Sequence, residues 1–342
     1  MAESFFADIL HLLVPLPVIL PLFAAGVKLA LGTRWTKLQQ WLSVGTLSAV
    51  LVVGFLLMIG SHQLGPQAVQ VGGWDAPIGI TLVADQLAAL MVTVSSTITL
   101  AVLIYSIGQG MAPKAEVAPL SVYQPTYLIL VAGVSNAFLA GDLFNLYVGF
   151  EILLTASYVL LTLGGTQSRM RAGAIYVVVS LVSSVLFLVA IALIFAATGT
   201  VNMAQLGERL PEINEELRLV LEVVLVIAFA IKAAVFPLAA WLPDSYPTAP
   251  VPVTAVFAGL LTKVGVYSII RVETLMFPGT QLNTLLMWVA LATMIMGILG
   301  AVAQNDIKRL LSFTLVSHIG YMVFGVALGS EHGMAGAVFY IA

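Results

Sequence analysis

The sequence predicts an all-α fold, a polytopic bundle of transmembrane helices. Of its 342 residues, 61% are hydrophobic and only 8% are charged, whereas soluble domains carry about 25% charged residues. The apolar residues also gather into runs of roughly 20, which is the length that a helix needs to cross a bilayer. No soluble core could bury this much apolar surface, so we expect lipid to surround the chain.

The apolar runs predict ten spans and the start of an eleventh. An eleventh run begins near Gly333 and reaches only Ala342. About ten residues cannot cross a bilayer, so we expect the chain to be a fragment of a longer protein. The ten predicted spans are residues 9–31, 39–60, 84–109, 124–142, 143–164, 172–198, 219–241, 252–271, 281–303 and 309–329.

The loop cations predict an orientation, because cytoplasmic loops carry an excess of Lys and Arg. Only Arg209, Arg218 and Arg271 lie where even spans lead to odd ones. The excess on the other side places the odd-to-even connections in the cytoplasm and the N-terminus outside. The cations on that side are Lys28, Arg34, Lys37, Lys114, Arg169, Arg171, Lys308 and Arg309.

Two outer segments have a local pattern of their own. Residues 64–83 alternate around several glycines and predict a small hairpin. Residues 203–218 carry four glutamates and predict a short surface helix. Asp85 and Glu222 fall in the first turns of their spans, so we expect both carboxylates to reach water.

Four ionisable residues remain inside apolar spans: Glu151, Lys232, Lys263 and His318. A charge at mid-bilayer costs about 3 kcal/mol on insertion scales. We therefore expect each to face the bundle interior and to serve function. A structural alternative stays open for each. Lys232 could snorkel to one membrane face, and Glu151 could be protonated and hydrogen-bonded within the bundle. Helix carbonyls could hold Lys263, and His318 could be a neutral, hydrogen-bonded core histidine.

Lys232 precedes a cluster of prolines. Pro237 removes a backbone donor and crowds the carbonyl of Ala233, and Pro243 begins a stretch that forbids regular helix. Span seven is therefore predicted to be broken beside an ammonium, an arrangement that marks ion paths in transporters.

The four buried groups together suggest a proton relay. Glu151 could stay ionised if it paired with Lys232, since each group lowers the other's cost. Two lysines close together repel, so Lys263 or Lys232 is expected to exchange protons near neutral pH. His318 suits a relay because imidazole changes charge in that range. Candidate access or accessory positions are Asp142, which could equally be a solvated loop charge, Asp244 and Lys308.

Other chemistries lack their residues. The chain has no cysteine, which excludes disulfides and thiolate metal sites. It has no phosphate-binding loop and no dinucleotide fingerprint, and no histidine pair at metal-ligand spacing. A net charge of -3 gives no sign of nucleic acid. We predict no cofactor, no metal site and no nucleic-acid partner.

Four ordered segments resemble a known family. They read GDLFNLYVGFEILLTASY, IKAAVFPLAAWLPDSYPTAP, FAGLLTKVGVYSIIR and NDIKRLLSFTLVSHIGYM. They are similar to the antiporter-like membrane subunits, which include proton-pumping subunits of respiratory complex I, membrane subunits of related hydrogenases, and the A and D subunits of Mrp-type Na+/H+ antiporters. The resemblance covers residues from about 70 to the end.

The resemblance implies about fourteen helices with two inverted five-helix repeats. On that pattern the chain divides into an N-terminal three-helix segment, 1–123, a first repeat, 124–271, and the start of a second, 272–342. Glu151 then matches the family's glutamate and Lys232 its broken-helix lysine. Lys263 and His318 match the lysine and histidine that follow.

The departures from the pattern favour the D-type subunits of the Mrp branch. Complex I members commonly have a proline and histidines where this chain has Ala234, Ala239 and Tyr246. The expected function is therefore an ion-translocating subunit of a cation/proton antiporter in a bacterial cytoplasmic membrane, and not an enzyme. Its partners would be the other subunits, H+, Na+ and lipid, with neighbours docking on the small residues of spans six and nine. A proton-pumping subunit of complex I or a membrane-bound hydrogenase is the alternative, and a silent scaffold is a third.

Overall fold

The computed structural model describes residues 10–32, 35–109, 120–279 and 282–342. The chain forms two compact units. The first unit comprises Met1–Thr166 and Pro250–Val256, and the second comprises Gln167–Ala249 and Phe257–Ala342. The division into units reflects which residues pack together and not a repeated topology. It does not test the predicted repeat boundaries, which stay a prediction.

Helix α4 is the central element of the first unit. It packs against α1, α3 and α5, and its polar residues Gln124, Ser135 and Asn136 are buried. Enclosure by other helices explains why this span can hold amides that lipid would not tolerate. The elements of the unit are α1 (Leu16–Leu31), α2 (Thr36–Leu64), β1 (Gln67–Val71), β2 (Ile80–Ala84), α3 (Gln86–Gly108), α4 (Leu120–Leu139) and α5 (Leu143–Thr162).

The hairpin predicted for residues 64–83 is confirmed. Strands β1 and β2 pair antiparallel, with Val69 opposite Leu82. Leu82 also forms an isolated bridge with Ala140, which ties the hairpin to the connection between α4 and α5.

The second unit is built on helices that pack in pairs, chiefly α6 with α8, α8 with α10, and α11 with α12. Helix α10 begins in the first unit and continues into the second, and it contains π-helical turns at Phe257–Leu261 and Val272–Met276. The elements are α6 (Gln167–Thr198), α7 (Met203–Arg209), α8 (Glu215–Ala233), α9 (Trp241–Ser245), α10 (Val251–Met276), α11 (Leu282–Val302), α12 (Ile307–Ala327) and α13 (Glu331–Ile341).

Glycines set the close approach of α11 to α12. A Cβ at Gly297 would lie 2.4 Å from the Ser317 nitrogen, and one at Gly300 would lie 2.4 Å from the Phe313 ring. The expectation that these glycines dock a neighbouring subunit is wrong, because they pack helices within the chain. The small residues of α6 are likewise engaged, as Ser183 donates a hydrogen bond to the Ala228 carbonyl at 2.8 Å.

Each of the ten predicted spans contains a helix, and eight helices of the described residues are long and apolar enough to cross a membrane. Helix α1 has only 16 residues, and α8 holds five charged side chains in its 19 residues. The count of ten spans and the inverted repeats therefore stay predictions. So does the outward N-terminus, since Arg34 and Lys114 lie outside the described residues.

Candidate functional site

Helix α8 stops at Ala233, so the predicted interruption is present. Ala234 adopts the left-handed conformation with φ 58°. Its N–H donates to the Ile231 carbonyl at 3.2 Å, and the Val235 N–H donates to the Ala230 carbonyl at 3.0 Å. This is the Schellman pattern, which usually has glycine at the left-handed position. An alanine there indicates that the surrounding structure holds the stop in place.

The prolines do not act as the sequence suggested. The helix ends before Pro237 is reached, so its ring does not crowd the Ala233 carbonyl of a continuing helix. Pro243 lies in the first turn of α9, where a missing N–H costs nothing. The left-handed turn ends α8, and Pro237 follows as part of the connection.

Polar groups released by the break find partners within the second unit. The Trp241 Nε1–H donates to the Ile231 carbonyl at 3.1 Å. The Phe236 N–H donates to Thr293 Oγ1 on α11 at 3.1 Å. Because freed backbone groups must be satisfied inside a membrane, these bonds fix the position of the broken segment.

Lys232 lies in the last turn of α8, one residue before the end of the helix. Its side chain is only 8% exposed, and Nζ donates a hydrogen bond to Ser184 Oγ on α6 at 3.1 Å. A cation is favoured at this end of a helix, because the carbonyls there carry partial negative charge. Burial and the helix end together place an ammonium at the break.

Lys263 lies on α10, the helix that contacts α8 at the break. A Cβ at Gly265 on α10 would lie 2.7 Å from the Ala233 nitrogen, so α8 and α10 touch one residue beyond Lys232. Lys263 precedes that contact by two residues and is half-buried. Within the described part of the chain, its ammonium forms no hydrogen bond. Each of the two helices thus carries a lysine within two residues of this contact along the chain.

An apolar cavity of about 160 Å³ adjoins the break. Phe236, Pro237 and Leu238 form one wall of it, and residues of α11 such as Leu286 and Val289 form another. Its apolar lining offers ordered water no hydrogen-bond partners, so this pocket lacks the polar groups that a water route would need.

Glu151 lies midway along α5 and is partly buried. It belongs to the first unit, whereas Lys232 belongs to the second. The coupling predicted between these two residues stays a prediction.

The sequence suggested that His318 faces the interior of the helix bundle, but among the described helices it does not. Its side chain is exposed on α12, and its ring meets the Tyr340 ring of α13 edge-on with centroids 5.7 Å apart. Among the described residues His318 is thus not sealed in a core, and its relay role stays a prediction.

The access candidates divide into one buried and two surface residues. Asp142 is 5% exposed and caps α5 by accepting from the Asn145 N–H at 2.6 Å, so the solvated alternative is wrong. Asp244 forms an ion pair with Arg309 at 2.9 Å, and Lys308 Nζ lies 3.5 Å from the Pro247 carbonyl. The segment after the break is thereby attached to the first turn of α12.

Sequence reasoning missed Lys28, which it counted as a loop cation. Lys28 is 1% exposed, and Nζ donates to the Gln39 carbonyl at 3.1 Å, to Ser43 Oγ and to Gln124 Oε1. The polar residues Gln39 and Gln124 within apolar stretches were the available signal.

Sequence reasoning also misjudged Glu222. The side chain is completely buried and hydrogen-bonds that of Glu273, so the expectation that it reaches water is wrong. Because Glu222 lies near the start of its span, the sequence indicated that its side chain is exposed. In the structure, α7 and the connection that follows it cover this end of the unit.

Apolar helices long enough to cross a bilayer, together with a helix broken beside a buried lysine, define the class of the protein as a multi-pass membrane protein. The comparisons with known proteins narrow the class. The model of a family described as NADH:quinone oxidoreductase/Mrp antiporter, transmembrane, matches residues 140–342. The chain belongs to this family.

The chain is similar to curated relatives over nearly its whole length. It is 42% identical over 334 residues to the D subunit of the Na+/H+ antiporter of Alkalihalophilus pseudofirmus, covering 96% of this chain and 66% of the relative. It is 39% identical over 329 residues to the corresponding D subunit of Bacillus subtilis, covering 95% of this chain and 66% of the relative. The chain thus spans 66% of the length of these curated relatives.

Two solved structures have the same fold. A chain of the Mrp complex from Dietzia sp. DQ12-45-1b superposes with a TM-score of 0.91 at 34% identity, covering 97% of this chain and 61% of that one. A chain of an archaeal respiratory complex, the membrane-bound sulfane sulfur reductase, superposes with a TM-score of 0.87 at 29% identity, covering 97% and 67%.

Proposed function

We propose that this chain is an ion-translocating subunit of an Mrp-type Na+/H+ antiporter complex. It would lie in a bacterial cytoplasmic membrane with its N-terminus outside. The observation that supports this most directly is Lys232, buried at the broken end of α8, with Lys263 on the helix that contacts α8 there. The relatives named as antiporter subunits support the choice of ion exchange.

Protons pass along Glu151, Lys232, Lys263 and His318 in this proposal. Charge on one lysine of the crossing makes charge on the other less favourable, so a proton arriving at Lys232 promotes release from Lys263. Ser184 holds the Lys232 ammonium at 3.1 Å and can accept from the ammonium or donate to the amine. The pair therefore passes one proton at a time.

His318 is the outermost member of this path. Its exposed ring can exchange protons with water or with a neighbouring segment, and neutral imidazole suits both transfers. A water can replace such a relay, so His318→Ala is expected to slow transport less than Lys263→Ala.

Sodium requires a different set of ligands. Na+ prefers several oxygen donors, as hard cations do, and the relay consists mainly of nitrogen bases. We assign part of the Na+ route to other subunits of the complex, which are the expected partners together with membrane lipid.

A proton-pumping subunit of a redox enzyme is the second candidate. The likeness to a chain of the sulfane sulfur reductase complex favours it. Such a subunit would use the same relay, but it would take its energy from electron transfer in other subunits.

Reconstitution separates these candidates. The complete complex, and separately the isolated full-length subunit, are placed in liposomes with an imposed pH gradient and given a Na+ jump without electron donor. We expect Na+-dependent proton flux from the complex and none from the isolated subunit. Flux that requires NADH or a quinone would support the redox pump, and vigorous exchange by the isolated subunit would contradict the assigned Na+ route.

A further inference from the structure

Two glutamates lie together at the end of the second unit that is remote from the break. Glu222 is in the second turn of α8 and is completely buried. Glu273 is in the π-helical turn of α10 and is 8% exposed. Helix α7 packs on this turn, since a Cβ at Gly207 would lie 2.7 Å from the Leu275 carbonyl oxygen. The carboxyl groups are therefore enclosed by three segments of one unit.

The contact between the two side chains requires a proton. They hydrogen-bond each other, and an ionised carboxylate can only accept. One of the two must then carry a hydrogen for the bond to form.

A second observation concerns the outer oxygen of Glu273. Oε1 is buried and has no hydrogen-bond partner among the described residues. An ionised oxygen without a donor costs several kcal/mol in an apolar site, whereas a protonated carboxyl tolerates such surroundings far better. The site therefore favours the protonated form of the pair.

The pair occupies a definite position relative to the lysines. Glu222 precedes Lys232 by ten residues on α8, and Glu273 follows Lys263 by ten residues on α10, which is about 15 Å along each helix. The same two helices therefore each carry a lysine and, about three turns away, a member of the carboxyl pair.

We infer that Glu222 and Glu273 form a proton-binding site that holds one exchangeable proton, at the end of the lysine path beneath α7. The inference rests on the proposed function, because it adds to that path an acidic branch on α8 and α10, separate from the branch that reaches His318. The proton moves from the shared carboxyl to water and is replaced from the lysine side, so charge and atoms balance without another reactant.

The segments that enclose the pair carry other charged residues. Arg209 donates to the Thr198 carbonyl at 2.8 Å, and Arg271 donates from Nε to the Tyr267 hydroxyl at 2.8 Å. These charges modulate the affinity for the proton but cannot supply the hydrogen between the carboxyls. The charged residues of the adjoining elements are Glu208, Arg209 and Glu212 around α7, Glu215, Glu216 and Arg218 on α8, and Arg271 on α10.

Infrared difference spectroscopy of the whole complex tests the site. Wild type is compared with Glu222→Gln and Glu273→Gln, which keep shape and hydrogen bonding but cannot release a proton. Glu216→Gln, on an exposed residue of α8, is the matched control. We expect a carboxylic-acid carbonyl band near neutral pH in the wild type and in the control. Both Gln variants of the pair should lose this band, and their Na+/H+ exchange should be slowed roughly a hundredfold.

Three results would overturn the inference. They are an unchanged acid band in both Gln variants, exchange at the wild-type rate in both, or replacement of the proton by Na+ at constant pH. If a Gln variant does not assemble, Glu273→Asp must restore the band. The proposed function is tested separately by Na+-driven flux in wild-type complex, so it can stand when this site fails.

Discussion

Among the described residues each unit buries one lysine almost completely, and the backbone around the two lysines differs. Lys28 of the first unit lies in α1 and donates to three neutral acceptors, on Gln39, Ser43 and Gln124. Lys232 of the second unit lies one residue before the end of a helix, and a left-handed turn follows it.

The difference separates charge that holds structure from charge that can move. An ammonium has three donors, and Lys28 uses all three on fixed groups. Losing its proton would leave an acceptor unsatisfied, so Lys28 is suited to hold α1, α2 and α4 together. Lys232 lies where the regular backbone stops, one residue before the contact of α8 with α10, so a change in its charge acts at the broken segment.

The largest effect is expected for Lys232→Ala. Removing the amine interrupts the path at the break, and Na+-driven proton exchange by the reconstituted complex should be lost while assembly is retained. Lys232→Arg is a more specific test of proton transfer, because arginine keeps the positive charge but cannot deprotonate. This variant should be equally inactive. Exchange at the wild-type rate in the Ala variant, at equal protein level, would remove Lys232 from the mechanism.

Lys28→Met should act on stability and leave turnover unchanged. The variant leaves buried acceptors without donors, at about 1–3 kcal/mol for each unsatisfied group. We expect a lower yield of folded complex and a lower unfolding temperature, with normal exchange per assembled complex. Lys37→Met, on an exposed lysine of α2, is the control. A stable but inactive Lys28→Met complex would show that the two lysines do not differ in the way described.

The same contrast shows what the sequence could predict. Hydropathy found all ten helical segments, and Lys232 stood out because apolar residues flank it and prolines follow. Lys28 and Glu222 escaped because each lies near the end of an apolar run, where a charge ordinarily reaches water. Their burial depends on neighbours that are remote in sequence, such as Gln124 and α7, and no local pattern contains that information.

The cause of the break was also beyond the sequence. Proline chemistry indicated an interruption near Pro237, but the helix ends through Ala234, a residue with no preference for the left-handed conformation. Packing against α10 and α11 determines this geometry. The outward position of His318 was hidden for the same reason, since an apolar span does not reveal which of its faces other helices cover.

A smaller effect is expected for Gly265→Ala, which tests whether the α8–α10 crossing matters. The new Cβ would lie 2.7 Å from the Ala233 nitrogen and 2.9 Å from its Cα, and overpacking of this kind costs about 1–3 kcal/mol. We expect exchange to fall several-fold with moderate loss of stability. Gly45→Ala, where nothing lies within 4 Å, should be neutral. Equal behaviour of the two variants would indicate that the lysine crossing tolerates displacement.

The smallest effect is expected at the ion pair that follows the break. The side chains of Arg309 and Asp244 are 47% and 51% exposed, so water screens the pair and its contribution is about 0.2–1 kcal/mol. Asp244→Asn should leave the unfolding temperature almost unchanged and reduce exchange less than twofold. The double variant Asp244→Asn with Arg309→Gln should match the single one, because one partner already removes the attraction. If Asp244→Asn instead abolished exchange while the double variant restored it, the attachment of the broken segment to α12 would be part of transport, and the second unit would depend on its surface as well as on its buried lysines.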